Sequence, residues 1–141
     1  MKTATHLHFK GNAREAFDYY ARALNGRVTL ALTYAESPMA THVPAAMHNQ
    51  LMHVRLEHGE QVLLGCDASP EHYTPTGGFS ITVLVDAPQE AERVFRALAD
   101  GGSVGMPFGP TFWSQGFGMC TDRFGIPWMV NCERTPAAAA A

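Results

Sequence analysis

The sequence predicts an α+β protein in which the order strand–helix–strand–strand–strand (βαβββ) occurs twice. Three observations carry this prediction. Apolar residues recur at helical spacing in two segments, Ala13, Ala16, Phe17, Tyr20 and Leu24 in one and Ala91, Val94, Phe95 and Leu98 in the other. One strand-like run precedes each segment and three follow it. The helical segments also echo one another: Glu15-Ala16 through Ala23-Leu24-Asn25-Gly26 is answered half a chain later by Glu90-Ala91 through Ala97-Leu98-Ala99-Asp100-Gly101. One helix cannot cover both faces of a four-stranded sheet. The expected solution packs each helix on one sheet face and curves the other into a cup, giving tandem modules in a curved mixed sheet.

The elements follow in order. THLHF reads as the first strand, and Asn12 with Glu15 three residues on has the form of a capping box at the first helix. Asn25-Gly26 predicts the helix stop, with Gly26 taking the left-handed position. RVTLALTYA is strand-like, and the long segment from Glu36 to Asn49 is read either as a flap over the cup or toward a partner chain, or as an ordinary connection. LMHVRLEH and QVLLGC surround Gly59 as a hairpin. FSITVLVD opens the second module and ends on Asp86, a candidate helix cap, with Pro88 in the first turn. Gly101-Gly102 ends that helix, and SVGMPFG, FWSQGFGMC and IPWMVNC are the later strands. Between the last two, Thr121 to Gly125 predicts a turn in which Asp122 accepts backbone N–H groups and Gly125 supplies a positive φ. Trp128 and Val130 share a face by alternation, the one expected under a helix. We assign 1–135 to a single domain of two modules, about 1–70 and 77–135, and 136–141 to a frayed tail.

Composition narrows the function classes. The chain has 141 residues and a net charge of −3, with no Lys/Arg cluster, which argues against nucleic acid as a partner. No apolar run reaches the roughly 20 residues of a membrane span. The first ten residues lack the apolar block of a signal peptide. Cys66, Cys120 and Cys132 show no C-x-x-C spacing and are read as buried thiols in a reducing compartment. A cytoplasmic protein is the expectation.

Specific motifs add to the pattern. T-F-W-x-x-G-F-G-x-x-T-D-x-F-G-x-P-W-M runs from Thr111 to Met129, F-x-G-N-A-x-E-A-F-x-Y-Y from Phe9 to Tyr20, with Met52-His53 and the L-G-C-D-A run ending Asp67-Ala68. In these the chain resembles the PhnB-like branch of the vicinal oxygen chelate superfamily of glyoxalases, dioxygenases and bleomycin-resistance proteins. The resemblance covers nearly the whole chain to about Glu133. It implies a glyoxalase-like cup fold, a small-molecule ligand and a homodimer.

The superfamily's enzymes place four metal ligands in the cup. The corresponding positions here are Thr5, the stretch Leu64–Cys66, Ser80 and Met129, which offer little to a hard divalent ion. No cofactor is therefore assigned, and a divalent metal in those positions is disfavoured. His6 and His8 point to one side of their strand, which suits a metal if that side is exposed and a packed histidine pair if it lies under the helix. By alternation His53, Arg55 and Glu57 share the face opposite Met52, Val54 and Leu56. With Asp67 at the end of the partner strand, His53 is the candidate catalytic base and Asp67 its orienter. The alternative for this row is a solvated set of ion pairs or a dimer contact. Arg55, Glu57, Tyr73, Ser80, Thr82, Trp113, Phe117, Met129 and Asn131 are the candidate ligand-binding residues. The leading function is binding, with or without transformation, of a small oxygenated metabolite. A second reading is a non-catalytic, drug-sequestering protein of the bleomycin-resistance type. PhnB-like chains also carry a demethylubiquinone methyltransferase label, disfavoured here because no Gly-rich strand-to-helix turn is present.

Overall fold

A computed structural model describes residues 1–134, so the expected tail at 136–141 lies outside the described residues. The chain divides into two compact units, Met1–Thr74 and one beginning at Pro75.

The first unit holds β1 (Thr5–Phe9), α1 (Ala13–Ala23), β2 (Arg27–Thr33), β3 (Leu51–His58) and β4 (Gln61–Asp67). Its sheet order is β1-β4-β3-β2, with β1 parallel to β4 and the other pairs antiparallel. The second unit holds β5 (Ile81–Leu84), α2 (Pro88–Ala99), β6 (Ser103–Gly109), β7 (Ser114–Thr121) and β8 (Pro127–Glu133). Its sheet repeats the plan as β5-β8-β7-β6, with β5 parallel to β8. The strand β5 is shorter than FSITVLVD implies.

Each helix buries its apolar stripe on one face of its own sheet. Ala13, Ala16, Phe17 and Tyr20 of α1 are sealed together with Leu7 and Phe9 of β1, Val54 and Leu56 of β3 and Leu63 of β4. Gly65 belongs to this row, because a Cβ there would lie 2.5 Å from Phe17 Cε2. In the second unit Ala91, Val94, Phe95 and Leu98 are buried with Cys120, Trp128, Val130 and Cys132. Burial, with Asp122 adding to it, pushes the Cys120 thiol up to about 11.

The helix ends correct the sequence reading. Asn12 makes no side-chain cap. Asp67 does that work from the end of β4: its Oδ1 accepts Gly11 N–H at 2.8 Å and Ala13 N–H at 3.0 Å. This satisfies donors that the first turn of a helix leaves free. The left-handed residue after α1 is Asn25, with φ of 53°, while Gly26 is needed because a Cβ there would meet Leu56 Cδ2 at 2.9 Å. Asp86 does not cap α2, whose N-cap is Ala87. At the other end of α2, Gly101 does take the left-handed conformation, φ 76°.

Asp122 accepts Phe124 N–H at 2.8 Å and Ile126 N–H at 3.0 Å, and its Oδ2 takes Trp128 Nε1–H at 2.8 Å. Asp122 and the aromatic run around it therefore hold the β7–β8 turn and the core. The 36–49 segment contains two short 3-10 turns, Pro38–His42 and Ala45–Met47, and buries Ser37 and Met47. It closes on itself through Ala35 N–H to His48 O and His48 Nε2 to Ala40 O.

Candidate functional site

Side-chain alternation leaves each sheet one face that its helix does not cover. In the first unit this open face is polar. Leu7 and Phe9 point under α1, so His6 and His8 point away from it and are exposed. The register pairs His6 with Leu64 and His8 with Cys66 across β1 and β4. Cys66 is half-buried rather than buried, and its Sγ lies 3.6 Å from His8 Nδ1. The His6 and His8 rings have centroids 4.9 Å apart, and His53 of β3 stands 6.2 Å from His6. Partial burial and the neighbouring imidazoles of His8 and His53 lower the pKa of His6. Burial and the Asp67 carboxylate raise that of Cys66.

Further along the same face Arg55 Nε donates to Glu57 Oε1 at 2.7 Å, with both side chains more than a third exposed. This pair is a solvated contact along one strand and contributes well under 1 kcal/mol. Asp67 is not on this face. It is 1% exposed on the helix side, and besides its two bonds at α1 its Oδ2 accepts Leu51 N–H at 2.9 Å. The expected orienting pair of His53 and Asp67 is therefore not made, because the carboxylate is engaged by three backbone amides. Tyr73 lies beyond β4, with Lys10 Nζ 5.4 Å from its ring centre.

The open face of the second unit is mostly apolar. Thr82 pairs with Met129, Met119 with Met129, and Phe117 with Asn131, so these side chains form one patch. Ser80 precedes β5 with the same parity as Thr82. Trp113 packs edge-on to Phe117 with ring centres 5.6 Å apart, and Phe112 flanks it at 4.8 Å. Within the patch, Asn131 Oδ1 is buried and has no hydrogen-bond partner among the described residues.

Of the superfamily's four metal positions, Thr5 fails on geometry as well as on residue type, and Ser80 and Met129 fail on residue type. Thr5 has the parity of Leu7 and Phe9, on the helix side of β1, and Met129 lies in the apolar patch. These residues do not fit that metal centre.

A family described as 3-demethylubiquinone-9 3-methyltransferase matches residues 1–131. The chain belongs to this family. Protein YjdN of Escherichia coli K12 is 30% identical over 139 residues, covering 93% of this chain and 95% of its own. Among solved structures, protein PA1353 from Pseudomonas aeruginosa is 46% identical with a TM-score of 0.87, covering 96% of this chain and 99% of that one. A Bacillus cereus PhnB protein, titled a putative 3-demethylubiquinone-9 3-methyltransferase, is 25% identical with a TM-score of 0.78, over 93% and 98% of the two chains. A Frankia glyoxylase/bleomycin resistance/dioxygenase domain shares the fold alone, at 10% identity and a TM-score of 0.67 over 95% and 98%. The PhnB-like membership and the glyoxalase-like α+β fold of the vicinal oxygen chelate superfamily thus hold for this chain.

The structure therefore separates the predicted residues into two groups. His53, Arg55 and Glu57 share the first unit's open face, while Thr82, Trp113, Phe117, Met129 and Asn131 gather in the second unit. Sequence reasoning missed that His6, His8 and Cys66 meet. His6-x-His8 was visible as a same-side pair, but the partner thiol is far away along the chain and reaches it only through the parallel β1–β4 pairing.

Proposed function

We propose that the open face of the second unit binds a small oxygenated molecule. The apolar part of that molecule lies against Trp113, Phe117 and Met129, and a hydroxyl or N–H group donates to Asn131. The buried, unpaired Asn131 Oδ1 is the observation that carries this reading. An unsatisfied buried acceptor costs about 1–3 kcal/mol, which a ligand's donor recovers when the half-buried Asn131 side chain turns its amide outward to meet it. Aromatic edges and thioethers supply the remaining contact without requiring chemistry. The family description names methyl transfer. Supporting binding instead, the β1–α1 turn offers the single glycine Gly11, whose amide and that of Ala13 are occupied by Asp67, and the β5–α2 turn has none.

On the first unit His53 remains our candidate for proton transfer, acting without Asp67. We also read the protein as a cytoplasmic homodimer. The superfamily's habit of pairing supports this, as do the exposed Leu84 and Val104. Light scattering at twice the 15.3 kDa chain mass is the corresponding measurement.

Tryptophan fluorescence tests the binding reading, since Trp113 is 44% exposed and Trp128 is buried. Titration with α-ketoaldehydes, phosphonates, catechols and hydroxylated aromatics is expected to give a saturable change with at least one class. Asn131→Leu should weaken that binding about tenfold or more, a loss of about 1.4 kcal/mol. No saturable response to any class, or full affinity in Asn131→Leu, overturns it. His53→Ala that alters neither affinity nor any turnover removes His53 from the site.

A further inference from the structure

We propose that His6, His8 and Cys66 bind one borderline-soft divalent metal ion, zinc being the ion their chemistry fits best. The three residues each offer one ligand atom, and these atoms lie within 4.8 Å of one another. The contact between Cys66 Sγ and His8 Nδ1 is 3.6 Å. A tetrahedral zinc, with its usual bonds to sulfur and nitrogen, holds a thiolate and an imidazole nitrogen about 3.6 Å apart. Two imidazoles and a thiolate are also the donors that select zinc and its neighbours over calcium or magnesium.

The placement is rigid. His8 and Cys66 are register partners on adjacent parallel strands, and His6 stands two residues earlier on the same face of β1. Ligands fixed on strands hold their geometry better than ligands on loops. Every ligand comes from the first unit, and one is sulfur. Cys66 falls in the Leu64–Cys66 stretch, one of the superfamily's four positions, but the two β1 histidines and the sulfur donor make a different ligand set, in which Thr5, Ser80 and Met129 take no part. On binding, the Cys66 thiol proton leaves to solvent and the thiolate takes the metal. Three protein ligands leave the fourth tetrahedral position to water or solute. His53, 6.2 Å from His6 ring to ring, stands outside the trio.

The test uses cobalt(II) as the spectroscopic probe on full-length protein stripped with chelator. The expected result is a thiolate-to-cobalt charge-transfer band and intense visible d–d bands, saturating at one ion per chain and bleached by zinc. Cys66→Ser should abolish the charge-transfer band. His6→Ala and His8→Ala should each weaken cobalt binding about tenfold or more, by analogy with the losses seen when metal-site residues are removed. His58→Ala, at the exposed end of β3, should keep both band and affinity. Thermal unfolding of the metal-free variants checks that each is folded, and added zinc should raise the melting temperature of the wild type but not of Cys66→Ser. The proposal is overturned if the wild type gives no thiolate band. It is equally overturned if the band survives Cys66→Ser, placing the metal on another cysteine, or if folded His6→Ala and His8→Ala bind as tightly as wild type.

Discussion

The first unit shows imidazoles, a thiol and an Arg–Glu pair on the sheet face away from its helix. The second shows Thr82, Phe117, Met119, Met129 and Asn131 on the same face of the same βαβββ plan. The helix-facing rows, by contrast, obey one rule in both. A glycine takes an aromatic ring of the helix, Gly65 under Phe17 and Gly118 under Phe95. Packing constrains the covered face because interiors have no spare volume. The uncovered face is free of that constraint, and there the two units carry different chemistry. Their buried carboxylates differ too. Asp67 joins three amides from two distant stretches of chain, whereas Asp122 holds a turn and a ring within six residues of itself.

That last contrast gives the largest expected effect. Asp67→Ala strands two buried N–H groups and a part-buried one and should lower the unfolding free energy by about 3–5 kcal/mol, a large share of a total of about 5–15. Asp122→Ala should cost less, about 2–4 kcal/mol, because a turn relaxes locally. Urea unfolding of both variants measures the difference, and equal losses would break the comparison. Next come the paired glycines. A Cβ at Gly65 or Gly118 would lie 2.5 or 2.7 Å from its ring, so Gly65→Ala and Gly118→Ala should each cost about 1–3 kcal/mol. A loss in one alone would show that the two helices are not seated alike.

Asn131→Leu should move the other way. It removes a buried acceptor that has no partner and should stabilise the ligand-free protein by about 1 kcal/mol while weakening the ligand. A destabilised variant would mean that the amide has a structural partner. The smallest effect belongs to the exposed pair: Glu57→Gln should change stability by no more than about 0.5 kcal/mol, and less at high salt.

Much of this was legible in the sequence because strand alternation and helical spacing are local. They placed Val54 and Leu56 under the helix and His53, Arg55 and Glu57 opposite, and they grouped Thr82, Met129 and Asn131. What sequence reasoning could not supply was convergence. Asp67 read as a partner for His53 because both stood in the matching motifs. Its true partners, Gly11, Ala13 and Leu51, meet it only once β1, α1 and β3 have come together. The same blindness hid the thiol beside the two histidines and made Asn12 look like the cap.

One further consequence attaches to Asp67. Tyr34 donates its hydroxyl to the Asp67 carbonyl at 2.7 Å, and Leu51 donates its amide to the Asp67 carboxylate at 2.9 Å. These two residues bracket the 36–49 excursion, so both of its ends are moored to one post. Strands on either side keep their alignment whatever the excursion does. Lengthening a tethered loop is inexpensive, about 0.6 kcal/mol per doubling. Evolution or an engineer can therefore splice new sequence into this segment, a peptide tag or a longer flap, without shifting the sheet beneath it.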